Sequence, residues 1–275
     1  MRGLLHHLKL GLAQFIAAPA LPEKPELGIT AAVKSVQGSR CKANEDSCLM
    51  DEARGVFVLA DGLGGQYGGE RASRLAATGL MHEAKLLLAR PDRQCNLADA
   101  MTQAFVNVNE SILSAAEQLP RFRGMAASAV LAVVDRERLY VAAAGDCRAY
   151  LIRDEEAERL TADQSLFQLL RNAGLAVDDH ETASSQRMLW SCLGNPKFAP
   201  APVRCEEIRD TDRLVLVTNG ITRVLKDGLI GRLSTISENA LATVTNVVNA
   251  ALSLKTGDDA TCLAVSFGGG CSDAR

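Results

Sequence analysis

The chain reads as an α+β fold built on antiparallel sheets, and three observations predict it. Short apolar runs of strand length recur: Val56–Ala60, Ala129–Val134, Leu139–Ala144, Leu214–Val217 and Ala260–Phe267. Helical patterns at about 70–90, 97–118, 165–173 and 237–253 separate them without strict strand–helix alternation, which argues against a doubly wound parallel sheet. Two of the runs face each other across Asp135–Arg138, a spacing that predicts a hairpin.

Taken in order, residues 1–18 place Leu4, Leu5, Leu8, Leu12, Phe15 and Ile16 at helical spacing. An amphipathic helix that docks on the domain or on a partner is expected there. The basic start is weak and Lys9 interrupts the apolar stretch, so a secretory signal is the poorer reading. Pro19, Pro22 and Pro25 then mark a linker. No run approaches the length of about 20 apolar residues needed to span a bilayer. With 47% hydrophobic residues the chain can bury a sizeable core, but aromatics at 4% leave Ala, Leu and Val to fill it. A net charge of -3 gives no basic footprint, so no nucleic-acid partner is expected. The eight cysteines form no C-x-x-C pair and no His cluster joins them, which excludes a zinc or redox motif and suits a reducing cytoplasm.

The chemistry gathers at the ends of the apolar runs. The first runs into Asp61-Gly62, the fourth into Thr218-Asn219-Gly220, the third into Gly145-Asp146, and Gly257-Asp258-Asp259 directly precedes the last. Any one of these is an ordinary turn pair. Several carboxylates fixed at one sheet edge, with glycines that let a ligand approach the backbone, would need a cation to neutralise them. Oxygen donors without His or Cys suit Mg²⁺ or Mn²⁺.

Around these acids the sequence resembles the bacterial type-2C (PPM) metal-dependent protein phosphatases. The matching segments are Asn44-Glu45-Asp46-Ser47, Ala60-Asp61-Gly62-Leu63-Gly64-Gly65, a degraded Gly124-Met125-Ala126-Ala127-Ser128 and Gly145-Asp146-Cys147-Arg148. Leu160-Thr161-Ala162-Asp163-Gln164-Ser165, Leu193-Gly194, Thr218-Asn219-Gly220 and Gly257-Asp258-Asp259-Ala260-Thr261 continue the series. Each is weak alone, but eight in the right order from about residue 35 to 267 are specific. The resemblance implies a four-layer α-β-β-α sandwich over 28–269, with a helix and linker (1–27) before it and a short tail (270–275) after. It also implies a site of two Mn²⁺ or Mg²⁺ ions, with a third held more weakly. Asp61 would bridge both ions and the Gly62 carbonyl would bind one. Asp258 and Asn219 would complete the other shell, Glu45 and Asp46 would hold metal-bound water, and Asp146 would serve the third ion. The implied reaction is hydrolysis of phosphoserine or phosphothreonine on a protein substrate by metal-activated water, opposing a cognate Ser/Thr kinase.

Three departures qualify it. Asn219 stands where the family carries Asp, so one ion loses a charged ligand. Low turnover is expected; a catalytically impaired pseudophosphatase that binds phosphoproteins is the alternative. Cys41 occupies the place of the phosphate-binding Arg, with Arg40 and Lys42 beside it. Arg40 is preferred for its fork of donors, although in an extended strand it needs a bulge to face the site. Leu63 stands where animal members have a His, and His6, His7, His82 and His180 match no motif position, leaving water as the proton donor. Gly62–Gly69 lacks the Gly-Lys-Ser/Thr ending of a nucleotide loop, so that reading is set aside.

Overall fold

The computed structural model describes residues 27–63, 68–90, 93–175 and 188–268. The expected N-terminal helix, most of the proline-marked linker and the 270–275 tail lie outside the described residues.

Among the described residues ten strands form two antiparallel sheets. One has the order β1-β10-β9-β6-β7, from β1 (Ile29–Val36), β10 (Ala260–Phe267), β9 (Arg213–Val217), β6 (Arg148–Arg153) and β7 (Glu156–Arg159). The other has the order β2-β3-β4-β5-β8, from β2 (Asp46–Asp51), β3 (Val56–Leu63), β4 (Ala126–Asp135), β5 (Arg138–Ala144) and β8 (Arg204–Glu207). Helices α1 (Gly69–Leu88) and α2 (Arg93–Gln118) cover the second sheet. A short α3 (Leu166–Asn172) follows β7. Helices α4 (Asn219–Thr222), α5 (Asp227–Thr235) and α6 (Ala240–Ser253) cover the first sheet. The result is the expected α-β-β-α sandwich.

Strand alternation distributes the apolar side chains among three cores. Along β3, Val56, Val58 and Ala60 pack against α1 and α2, while Phe57 and Leu59 enter the space between the sheets. Along β9, Leu214 and Leu216 face that space and Val215 and Val217 face α6. Burial on both faces is why these strands read as continuous apolar runs. Alanines at 127, 129, 132, 142, 143 and 144 are buried along β4 and β5, filling the core as the scarcity of aromatics requires.

The hairpin turns as expected, with Asp135 paired to Arg138. Strands β1, β2, β7 and β8 belong to segments without a continuous apolar run of that length, because they lie at sheet edges; β6 is interior and buried from Ala149 to Ile152, a run of four that the sequence reading did not single out. At the far end of the first sheet Ile29 pairs with Phe267, and the Gly268 N–H donates to the Gly28 carbonyl at 3.0 Å. Among the described residues no helix is long and apolar enough to cross a membrane.

Candidate metal and phosphate site

The inter-sheet face of β3 continues from Phe57 and Leu59 to Asp61, so strand periodicity alone turns this carboxylate into the cleft where the sheets part. Asp61 is 8% exposed. Its cross-strand partner in β2 is Asp46, two residues before Cys48, which packs in the same inter-sheet core. Like charges directly opposite each other in a sheet are destabilising, and nothing in the strands themselves relieves this pair. On the other side Asp61 pairs with Ser128 of β4. The Ser128 hydroxyl accepts the backbone N–H groups of Asp146 (2.9 Å) and Cys147 (2.7 Å) and donates to the Ala144 carbonyl (3.1 Å). One side chain thus fixes the turn that presents Asp146.

Asp46, Asp61 and Asp146 share a distinctive defect: Oδ1 of Asp46, Oδ2 of Asp61 and Oδ1 of Asp146 are shut away from solvent with no hydrogen-bond partner. Burial pushes the Asp46 carboxyl up to about 7, against the pull of hydroxyl donors from Thr261 (2.6 Å) and Thr218 (3.0 Å). Burial, then the charges of Asp46 and Asp146, raise Asp61 well above the carboxylate range. Burial, then the charge of Asp163, raises Asp146. Buried unpaired carboxylates cost several kcal/mol each unless a cation meets them. Among the described residues no three His, Cys, Asp or Glu side chains are gathered closely enough to hold a metal ion as they stand. An all-oxygen donor set with three unpartnered buried oxygens fits a hard divalent cation.

The opposite wall comes from the first sheet. Asn219 opens α4 just after β9; it is buried, and its backbone N–H pulls the Asp61 carboxyl down slightly against burial. Asp258 sits in the loop before β10, and both of its oxygens are taken: Oδ2 by Arg223 and Oδ1 by Arg40 at 3.5 Å. Asp259 is structural, accepting the N–H groups of Gly38 (2.7 Å) and Glu45 (2.8 Å) and so tying the β1–β2 connection to the β10 approach. Glu45 carries its carboxylate against Gly69 at the start of α1. Its carboxyl is raised by burial and by the charges of Asp259 and Glu70.

Two sequence expectations need correction. Arg40 does not lie in a strand, so no bulge is involved: β1 ends at Val36, and a turn closed by the Cys41 N–H on the Gly38 carbonyl (3.1 Å) carries Arg40 to Asp258. Its side chain is 70% exposed, at the rim. The glycines beside the acids also serve the backbone more than a ligand. A Cβ on Gly62 would lie 2.2 Å from the Gly69 carbonyl oxygen, and one on Gly220 would lie 1.9 Å from that of Asp259. These glycines let loops from different elements close on the acids.

Beyond Asp146 the cleft opens into a cavity of about 310 Å³ whose lining includes Asp146, Arg148, Asp163, Asn219, Arg223 and Asp227. Arg148 grips Asp163 with two bonds (2.9 and 2.6 Å) and reaches Asp227 at 2.8 Å. Arg159 joins both acids. Gln164 closes on Gly145 through two bonds, its backbone N–H donating to the Gly145 carbonyl at 2.8 Å and its side-chain Oε1 accepting the Gly145 N–H at 2.9 Å. Ser128, Thr218 and Thr261 fall inside the matched motifs but are given no role by them, and Arg223 lies outside every motif. The first three have hydroxyls adjacent to the acids in sequence or register, a signal available only once the strands are paired.

A family description, protein phosphatase 2C, matches residues 32–169. The chain is 28% identical over 190 residues to the serine/threonine protein phosphatase PstP of Mycobacterium tuberculosis, an alignment covering 69% of this chain and 36% of that protein. The chain therefore spans about a third of that relative's length. Against the protein phosphatase PhpP of Streptococcus pneumoniae it is 30% identical over 177 residues, covering 62% of this chain and 69% of PhpP. A crystal structure of the PstP catalytic domain in complex with two manganese ions superposes with a TM-score of 0.74 at 26% identity, covering 88% of this chain and 99% of that one.

Proposed function

We propose that this chain, which belongs to the protein phosphatase 2C family, hydrolyses phosphoserine and phosphothreonine on protein substrates with the help of divalent cations held in the inter-sheet cleft. The observation that carries this reading is the trio of buried carboxylate oxygens without partners on Asp46, Asp61 and Asp146. Mn²⁺ or Mg²⁺ bound there supplies a lowered pKa for water and offsets charge on phosphoryl oxygens. Asp61 would be the shared ligand, with the Gly62 carbonyl beside it and Asp146 on the cavity side. Thr218 and Thr261 hold one oxygen of Asp46 and leave the other without a partner. Glu45 lies at the same edge, where it would hold water. Arg40, exposed at the rim and next to Asp258, would grip the substrate phosphate as it arrives. The catalytic domain is taken as residues 28–269. A cognate Ser/Thr kinase would supply the phosphorylated substrate. The six free cysteines among the described residues suit a reducing cytoplasm.

A second reading has one observation in its favour: Asn219 brings no charge, and the neighbouring Asp258 is already neutralised by arginines. On that reading the chain binds phosphoproteins without turning them over. Hydrolysis of p-nitrophenyl phosphate and of a phosphothreonine peptide in Mn²⁺ separates the two, with Asp61→Asn as the blank and Asn219→Asp as the comparison. Turnover by the natural sequence above the Asp61→Asn blank supports the enzyme. Turnover only in Asn219→Asp assigns the natural chain to the binding role, and turnover in neither removes the phosphatase reading.

A further inference from the structure

Gly68, which caps α1, and Arg71, Leu75 and Thr78 along it recur at the three- and four-residue spacing that lines one helix face. The core face of α1 is made by Ala72, Ala76 and Leu80, so this stripe is left to the surface. Phe122 comes to it from the single 3₁₀ turn Pro120–Phe122, between α2 and β4. With Arg74 at the edge, these residues line a groove of about 420 Å³ that shares no wall with the cavity beside Asp146. Two guanidinium groups lie over the Phe122 ring, Arg71 at 5.0 Å and Arg121 at 4.8 Å from its centre. Among the described residues neither of them, nor Arg123 beside them, forms an ion pair, while Arg74 is paired with Glu70 at 2.6 Å. The patch thus sets four arginines against one glutamate on a chain whose net charge is -3. Its backbone is held in place: the N–H groups of Phe122, Arg123 and Met125 donate to the carbonyls of Leu119 (2.8 Å), Pro120 (3.3 Å) and Phe122 (3.0 Å).

The groove begins at the candidate site. Gly69, between the groove residues Gly68 and Glu70, sits against the Glu45 carboxylate and against Gly62. From there to Thr78 the helix rises about 14 Å, the reach of about four residues of extended chain.

We infer that this groove is a docking surface for an acidic segment of the substrate: it takes carboxylate side chains, and one bulky apolar side chain among them, within about four residues of the phosphorylated Ser or Thr. The inference rests on the phosphatase reading above and adds a substrate class to it. A guanidinium lying on an aromatic ring keeps its in-plane N–H donors turned outward, where a carboxylate can take two of them. Two unpaired guanidinium groups on one ring also repel each other, and an arriving carboxylate relieves that repulsion. Leu75 and Phe122, both partly buried against the core beneath α1, supply the apolar seat. Because a helix and a hydrogen-bonded turn already fix the backbone of the patch, little of its freedom is lost on binding.

The test compares two phosphothreonine peptides of equal length on the full chain in Mn²⁺. One carries Asp, Glu and Leu around the phosphothreonine, and the other Asn, Gln and Ala. The natural chain should hydrolyse the acidic peptide with kcat/KM about tenfold higher, through KM, and added salt should shrink the gap. The double variant Arg71→Ser with Arg121→Ser should erase the preference. Fluorescence anisotropy with the unphosphorylated acidic peptide repeats the comparison without turnover, and binding should weaken about tenfold in the double variant. Equal kcat/KM for the two peptides in the natural chain, or a preference that survives the double variant, would overturn the inference and leave the phosphatase reading intact. Binding to phosphatidylserine vesicles that falls in the double variant, without any peptide preference, would give the groove to a membrane surface and overturn it too. If p-nitrophenyl phosphate and both phosphopeptides stay intact, the phosphatase reading fails and anisotropy decides for the groove. Acidic-peptide binding lost in the double variant keeps it as an acidic-peptide site, and no such binding overturns both.

Discussion

The two walls of the cleft solve the same problem in opposite ways. Asp46, Asp61 and Asp146, carried by the second sheet, are buried with oxygens left bare. Asp258, carried by the first sheet, is half-exposed and held by two arginines. The wall with unmet charge stores the capacity to bind. The wall with met charge is already stable, and a ligand gains little there. Unpaired burial is costly to a resting protein, so its presence at three positions marks where something else must arrive.

The hardest way to break this contrast is to remove the central carboxylate. Asp61→Asn should abolish Mn²⁺-dependent hydrolysis by several kcal/mol of barrier, about 10³-fold in rate, measured against a phosphothreonine peptide. Without metal the same variant should melt higher than the natural chain at neutral pH, because it removes a buried carboxyl that must take up a proton or carry an unpaired charge in the folded state.

Next in size is a pH effect confined to the metal-stripped protein. The raised carboxyls of Asp46, Asp61 and Asp146 keep protons in the folded state that the unfolded chain has already released above about pH 4. The folded state then binds more protons than the unfolded, so stability falls as pH rises from about 5 towards 8, on the order of 3 kcal/mol. Thermal melts in chelator across that range should show the decline, and saturating Mn²⁺ should remove it. A flat or rising profile in chelator would contradict the burial described for these groups.

Ser128→Ala probes the unmet wall more gently. It strips the hydroxyl from two backbone N–H groups and should loosen the Asp146 turn, costing about 10- to 100-fold in metal affinity by calorimetry. It should also cost about 1–3 kcal/mol in stability by denaturant titration, because buried donors lose their partner. The smallest effect is expected on the met wall. Arg40→Ala removes an exposed rim charge and should raise KM for a phosphopeptide about tenfold with little change in kcat, since a charge-assisted grip at the rim serves binding first. A loss confined to kcat would instead move Arg40 inward, to the reacting phosphate.

Sequence alone disclosed much of this architecture where burial was complete. β3, β4, β5, β9 and β10 announce themselves because both faces of each are covered, and Asp61, Asp146 and Asp258 follow because each flanks such a run. The edge strands β7 and β8, with charged residues alternating along them, carry no such signature. Arg40 is misplaced by reading Gln37–Cys41 as extended, although Gly38-Ser39 is itself a turn signal. The role of Ser128 depends on strand register, as the partner of Asp61 across β4 and the anchor of a turn 18 residues away. Arg223 was passed over because its importance lies in reaching Asp258, 35 residues further on. Such long-range pairings are set by topology, and local periodicity does not encode them.

The pairing of Ile29 with Phe267 has a practical reach. Gly28 and Gly268 are hydrogen-bonded neighbours, eight residues of strand from the carboxylates, or roughly 26 Å at strand rise. A short peptide could therefore join them and new ends be opened elsewhere, as in a circular permutant, without disturbing the cleft. By the same geometry, labels or surface tethers attached at either of these positions leave the approach of a bulky substrate clear.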